Sequence, residues 1–220
     1  DALSEQGISR AFSSQELAIP LALDGRDIIG QARTGMGKTY AFGVPLIDRV
    51  FDDAAVPEPD GTPRALIVVP TRELAVQVGD DLVRAAARTP LRVTTIYGGR
   101  PYDAQLASLA DGTDIVVGTP GRLIDLHQRG DLVLSQVAVL VLDEADRILD
   151  MGFARTLNAI LEHLPSTRQS LLFSATQTRR VKDLARLSLR DPAYVAGEAD
   201  SLMPQHLEQF YMVVELPRKL

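Results

Sequence analysis

Ile28-Ile29-Gly30-Gln31-Ala32-Arg33-Thr34-Gly35-Met36-Gly37-Lys38-Thr39 sets an apolar run before a glycine-containing turn and ends on a lysine and a hydroxyl. Strand, loop and helix start in that order make a phosphate cradle. Gly35 and Gly37 permit unusual backbone angles and close approach, so successive N–H groups point at phosphate oxygens while the helix adds its positive end. Arg33, Thr34 and Met36 complete the loop, Lys38 reaches the β- and γ-phosphates of a nucleoside triphosphate, and the Thr39 hydroxyl coordinates Mg²⁺. The run departs from G-x-x-x-x-G-K-[ST] at its first position, which is Ala32. Lysine is scarce here: of twenty-three basic residues only Lys38, Lys182 and Lys219 are lysines, so Lys38 is a lone compact cation among arginine forks.

Working outward, further short aliphatic runs at 65–69, 93–97, 114–117, 137–142, 170–173 and 194–196 read, with 27–30, as strands. Several are apolar at every position, as expected of strands covered on both faces. Helical patterns fall between them at about 37–50, 72–87, 121–129, 152–163 and 179–189. Alternation of this kind predicts an α/β fold with a mainly parallel sheet and helices on both sides. Residues 52–63, acidic and proline-rich, read as an exposed connector. The run at 137–142 leads into Asp143-Glu144-Ala145-Asp146, which brings carboxylates to the carboxyl end of a core strand, where open parallel sheets place ligands. Asp143 suits the Mg²⁺ shell, and Glu144 suits orientation or deprotonation of an attacking water.

Composition narrows the alternatives. The chain has 220 residues, 45% hydrophobic and 24% charged, with mean hydropathy +0.03, which describes a globular protein and argues against disorder. No apolar run approaches the length of a membrane-spanning helix and no apolar leader opens the sequence, so an intracellular, soluble protein without membrane contact is expected. Cysteine is absent and His127, His163 and His206 are scattered, which excludes thiolate chemistry and a zinc cluster. A net charge of -6 confines any nucleic-acid contact to a local patch.

These motifs resemble, in order, those of the DEAD-box ATP-dependent RNA helicases, specifically the first of their two RecA-like domains. Beside 32–39 and 143–146 stand Pro70-Thr71-Arg72-Glu73-Leu74-Ala75, Gly98-Gly99, Thr119-Pro120-Gly121-Arg122 and Ser174-Ala175-Thr176. The resemblance implies a RecA-like ATP-binding domain over 1–200, with 201–220 as linker and the start of a C-terminal RecA-like domain, announced by a strand pattern at 209–214. It implies ATP and Mg²⁺ as cofactors, with Lys38, Asp143 and Glu144 catalytic. Gln15 matches the glutamine that reads adenine, although Ser13 and Ser14 replace the usual Pro and Ile before it. Pro70, Thr71, Arg72, Gly98, Gly99, Thr119, Gly121 and Arg122 match positions that hold the backbone of single-stranded RNA without reading bases. Asp146, Ser174 and Thr176 match the set that couples ATP state to strand separation.

In this family the second domain supplies further RNA contacts and arginine fingers, worth roughly 10³ to 10⁵ in rate. A monomeric chain that hydrolyses ATP feebly, and unwinds duplexes only with that domain, is therefore expected. Two other readings remain open at this point: a DNA-acting superfamily 2 translocase on the same core, and a nonenzymatic ATP-gated RNA clamp or assembly scaffold. Residues 28–39 resemble bacterial members and 174–189 a eukaryotic nucleolar branch involved in ribosome assembly, which implies the cytoplasm in the first case and the nucleolus in the second.

Overall fold

A computed structural model describes residues 3–196 apart from 4, 6, 9, 32–36, 55, 57 and 58. Its elements run α1 (Ser13–Leu23), β1 (Ile28–Gln31), α2 (Lys38–Asp52), β2 (Ala65–Val68), α3 (Arg72–Ala85), β3 (Val93–Ile96), α4 (Asp103–Ala110) and β4 (Ile115–Gly118). They continue with α5 (Pro120–Gln128), β5 (Val139–Leu142), α6 (Ala145–Asp150), α7 (Ala154–Glu162), β6 (Gln169–Ser174), α8 (Arg179–Ser188) and β7 (Ala193–Ala196). All strands join one seven-stranded sheet in the order β3-β4-β2-β5-β6-β1-β7, and every neighbouring pair is parallel. The α/β architecture expected from the alternation is what forms.

Handedness explains which helix lies where. Parallel crossovers are right-handed, so the direction in which the chain steps across the sheet selects the face that its helix covers. From β1 through β2 to β3 the chain steps one way, and α2 and α3 pack with α1 on one face through Phe42, Leu46, Val78 and Leu82. At β3 the direction reverses. From there α5, α6, α7 and α8 cover the other face through Leu123, Ile148, Leu157 and Val181, with Leu106 of α4 against the same core. Successive strand residues divide between the two cores: Ile67 and Val141 belong to the first, Leu66 and Leu140 to the second. Strands β2, β4, β5 and β6 are buried at every position, which explains their unbroken aliphatic character.

β1 and β6 approach so closely that Gly30 has a structural reason of its own: a Cβ there would lie 2.4 Å from Phe173 Cδ1. The Phe173 ring in turn meets Phe42 of α2 at 5.6 Å between centroids, tying the strand to the helix that follows the phosphate loop. Helices α1, α4 and α6 lie outside the expected set. Pro20 interrupts α1, α4 has eight residues and α6 has six, so none carries a sustained apolar stripe. The strand expected at 209–214 and the domain boundary near 200 fall outside the described residues.

Candidate functional site

The carboxyl ends of β1 and β5 lie on the same edge of a parallel sheet, separated by β6 alone. There Lys38, at the first turn of α2, places Nζ 3.3 Å from Oδ1 of Asp143, the residue after β5, and both side chains are buried. The approach is an ion pair, and Lys38 Nζ has no aligned hydrogen-bond acceptor among the described residues. A buried ammonium with three donors and one off-axis carboxylate is an incomplete site, and triphosphate oxygens are the acceptors that would complete it. Burial pushes the Asp143 carboxyl above its ordinary pKa, opposed by the Lys38 charge and by the backbone N–H of Glu144, which donates to Asp143 Oδ1 at 2.9 Å. Among the described residues no three His, Asp or Glu side chains converge on one point, so a cation held at Asp143 needs ligands beyond carboxylates. Mg²⁺ fits that shortage, since it takes one or two protein carboxylates and completes its shell with phosphate and water.

Glu144 carries the left-handed backbone angles φ 52° and ψ 48° between β5 and α6. A non-glycine residue pays a conformational cost there, and the turn sets Glu144 beside Asp143 with Arg147 Nη1 3.6 Å from its Oε2. Of the remaining loop residues, Arg33, Thr34, Gly35 and Met36 fall outside the described residues. Gly37 has φ 69° and caps α2, with Thr39 one residue beyond Lys38. Gln15 Nε2 donates to Gly37 O at 2.7 Å, while its Oε1 accepts from Phe12 N–H at 2.9 Å. A Cβ on Gly37 would lie 2.6 Å from that Nε2. The glutamine therefore ties α1 to Gly37 at the start of α2 and has one donor and one acceptor valence beyond these two bonds.

Asp146 lies in the first turn of α6. Its Oδ2 accepts from Thr176 N–H at 3.0 Å and from Thr176 Oγ1 at 2.8 Å, and its Oδ1 accepts from Arg147 N–H at 3.0 Å. Ser174 Oγ donates to Thr176 O at 2.8 Å, which closes the turn after β6. Partial burial raises the Asp146 pKa, and the hydrogen bonds from Thr176 and Arg147 outweigh it, so the carboxyl sits below its ordinary value. The acidic motif and the Ser-Ala-Thr motif are thus in direct contact, as the resemblance implies.

The residues matched to RNA contacts line the same edge of the sheet, farther out. Pro70 is buried after β2, and Thr71 caps α3 by accepting from Leu74 N–H at 3.2 Å. Arg72 is exposed and Nε donates to Glu73 Oε1 at 3.2 Å. Gly98 and Gly99 are exposed after β3, while Thr119 caps α5 without a side-chain bond and Gly121 is exposed in its first turn. Arg122 has its guanidinium 4.0 Å over the Tyr102 ring, Nη2 donates to Arg100 O at 3.1 Å, and Nη1 is buried with no hydrogen-bond partner among the described residues. It works as a clamp on the loop that follows β3. Sequence reasoning overlooked Tyr97, Arg100 and Tyr102, whose one visible signal is an arginine directly after Gly98-Gly99.

Taken together, fold and site define a RecA-like α/β domain built around a nucleoside-triphosphate loop. The family model described as DEAD/DEAH box helicase matches residues 12–184, and the chain belongs to that family. It is 46% identical over 99% of its length to ATP-dependent RNA helicase DBP4 of Mycosarcoma maydis, covering 24% of that protein. It is 41% identical, also over 99% of its length, to DEAD-box ATP-dependent RNA helicase CshA of Geobacillus kaustophilus, covering 45% of it. The chain therefore spans less than half the length of these relatives. A crystal structure of a DEAD box protein from the hyperthermophile Methanococcus jannaschii matches 91% of the chain, over 53% of its own, with TM-score 0.83 and 37% identity. A hypothetical ATP-dependent RNA helicase from Sulfolobus tokodaii matches 89%, over 55% of its own chain, with TM-score 0.80 and 33% identity. Among the described residues no helix is long and apolar enough to cross a membrane.

Proposed function

We propose that this chain is the nucleotide-binding half of an ATP-dependent RNA helicase, binding ATP with Mg²⁺ at the ends of β1 and β5 and the backbone of single-stranded RNA along the outer part of the same edge. The observation that carries the reading is the buried Lys38–Asp143 pair at 3.3 Å, with the ammonium left short of acceptors. Lys38 holds β- and γ-phosphate oxygens, and Arg33, Thr34, Gly35, Met36 and Gly37 surround them. Thr39 and Asp143 hold Mg²⁺, which when bound neutralises phosphate charge. Glu144 orients the attacking water and accepts its proton as the water oxygen bonds the γ-phosphorus and the bridging β–γ P–O bond breaks, releasing ADP and inorganic phosphate. Gln15 presents its spare amide valences to adenine.

Pro70, Thr71, Arg72, Gly98, Gly99, Thr119, Gly121 and Arg122 form the RNA path, read through sugar and phosphate and hence indifferent to sequence. Asp146, Ser174 and Thr176 carry the state of the triphosphate from α6 to the turn after β6. A second RecA-like domain, following in the same parent chain, supplies the remaining charge stabilisation, so this monomeric piece alone turns over slowly. The test is E144Q in the two-domain parent. ATP affinity should stay within about threefold of the parent's while RNA-stimulated phosphate release falls by roughly 10² or more, the usual contribution of a positioned base. Normal hydrolysis by E144Q would remove Glu144 from the reaction.

A further inference from the structure

An open cleft of about 530 Å³, lined by Arg72, Glu73, Val76, Tyr97 and Arg100, lies at the carboxyl ends of β2 and β3. Two exposed guanidiniums face it from different elements, Arg72 from the first turn of α3 and Arg100 from the loop after β3. Arg72 is paired to Glu73, whereas Arg100 has no carboxylate partner among the described residues of a chain whose net charge is -6. Yet Arg100 is held in place. Its Nη1 donates to Tyr97 Oη at 2.9 Å with the guanidinium 5.7 Å from that ring, and its own carbonyl accepts from Arg122 Nη2 at 3.1 Å. Gly99 takes the left-handed φ of 79° in this loop, which glycine adopts without strain.

An exposed cation without a counter-charge gains little from being fixed unless an anion arrives, and its fork retains donors directed away from Tyr97. Two guanidiniums on one rigid rim suit successive phosphates of an extended chain better than a single compact anion. We infer that Arg100 binds the phosphodiester adjoining the one held by Thr71 and Arg72, which makes it a further RNA-contacting residue, oriented by Tyr97 and by the Arg122 clamp. The assignment rests on the RNA reading above and extends it to a position outside the matched motifs.

The test is binding of a fluorescein-labelled oligouridylate to this chain, by anisotropy, between about 50 and 200 mM salt, where phosphate contacts are read from the salt slope. R100Q should weaken binding roughly three- to tenfold and flatten the slope by about 0.7, the single-strand value for one lost phosphate contact. R100K should keep the slope, because it keeps the charge. R92Q, at the amino end of β3 and so on the opposite edge of the sheet, should match the unsubstituted chain. Affinity and slope unchanged in R100Q overturn the proposal, and so does equal weakening in R100Q and R100K with the slope intact, which would reduce Arg100 to a support for Tyr97. Failure of the unsubstituted chain to bind overturns the RNA reading itself, and Arg100's role with it.

Discussion

Glu144 shows at the level of one residue how chemistry overrides local preference. Its backbone is left-handed, a region costing an ordinary side chain about 1–2 kcal/mol, and the site tolerates the strain to aim a carboxylate beside Asp143. Glycine should recover that cost. E144G is expected to be more stable than E144Q by about 1 kcal/mol in denaturant unfolding, with hydrolysis reduced by roughly 10² or more in both, and equal midpoints would contradict a strained backbone. Asp146 gives a pH signature instead. Its carboxyl is held below the ordinary 3.8 by Thr176 and Arg147, so it contributes stability that is present above pH 3.8 and is lost as pH falls through the lowered native value. Thermal unfolding of D146N should therefore lie below that of the unsubstituted chain at neutral pH, and the gap should close under acid. A gap constant from pH 7 to pH 2 would show that the hydrogen bonds do not depend on the charge. Lys38 stands out in the sequence because lysine is scarce there, and Asp143 because it follows an unbroken apolar strand. The stacking of Arg122 on Tyr102 could not be read there, since a guanidinium that stacks on a tyrosine has the same letter as one that faces solvent.

Individual elements were legible where an apolar period ran long enough. The buried strands announced themselves through unbroken aliphatic runs, and α2, α3, α5, α7 and α8 through their stripes. Short or interrupted helices did not: α6 is held by burial of Ile148 and Leu149 and by its place after the acidic turn, features of tertiary packing that leave no period in six residues. Contact between elements is also invisible to periodicity. Gly30 looks like part of the phosphate loop, yet its reason is the Phe173 ring from β6 lying where a side chain would go. G30A should destabilise the domain by about 1–3 kcal/mol through overpacking, and the double variant G30A/F173L should recover part of that loss. Additive losses in the double variant would show that the two residues do not compete for one space.

Across the whole molecule, one reversal of chain direction at β3 determines the rest. It sends α1, α2 and α3 to one face and α5 to α8 to the other. The phosphate loop, the acidic motif and the RNA-matched loops then meet along a single edge, because every strand is parallel and every such loop follows a strand's carboxyl end. Motif order in the sequence carries no trace of this convergence, for the strands bearing the loops at Lys38 and Asp143 are not even neighbours. If the proposed second RecA-like domain belongs to the parent, phosphate release should rise when it is joined to this chain, which spans 24% and 45% of two relatives. The central claim is that Lys38 and Asp143 grip a magnesium-bearing triphosphate, and calorimetric titration of a non-hydrolysable ATP analogue with Mg²⁺ tests it most directly. The account predicts saturable binding by the unsubstituted chain and loss of about tenfold or more in K38A, since no arginine fork replaces the buried ammonium. Equal affinity in both, or no binding by either, would contradict it.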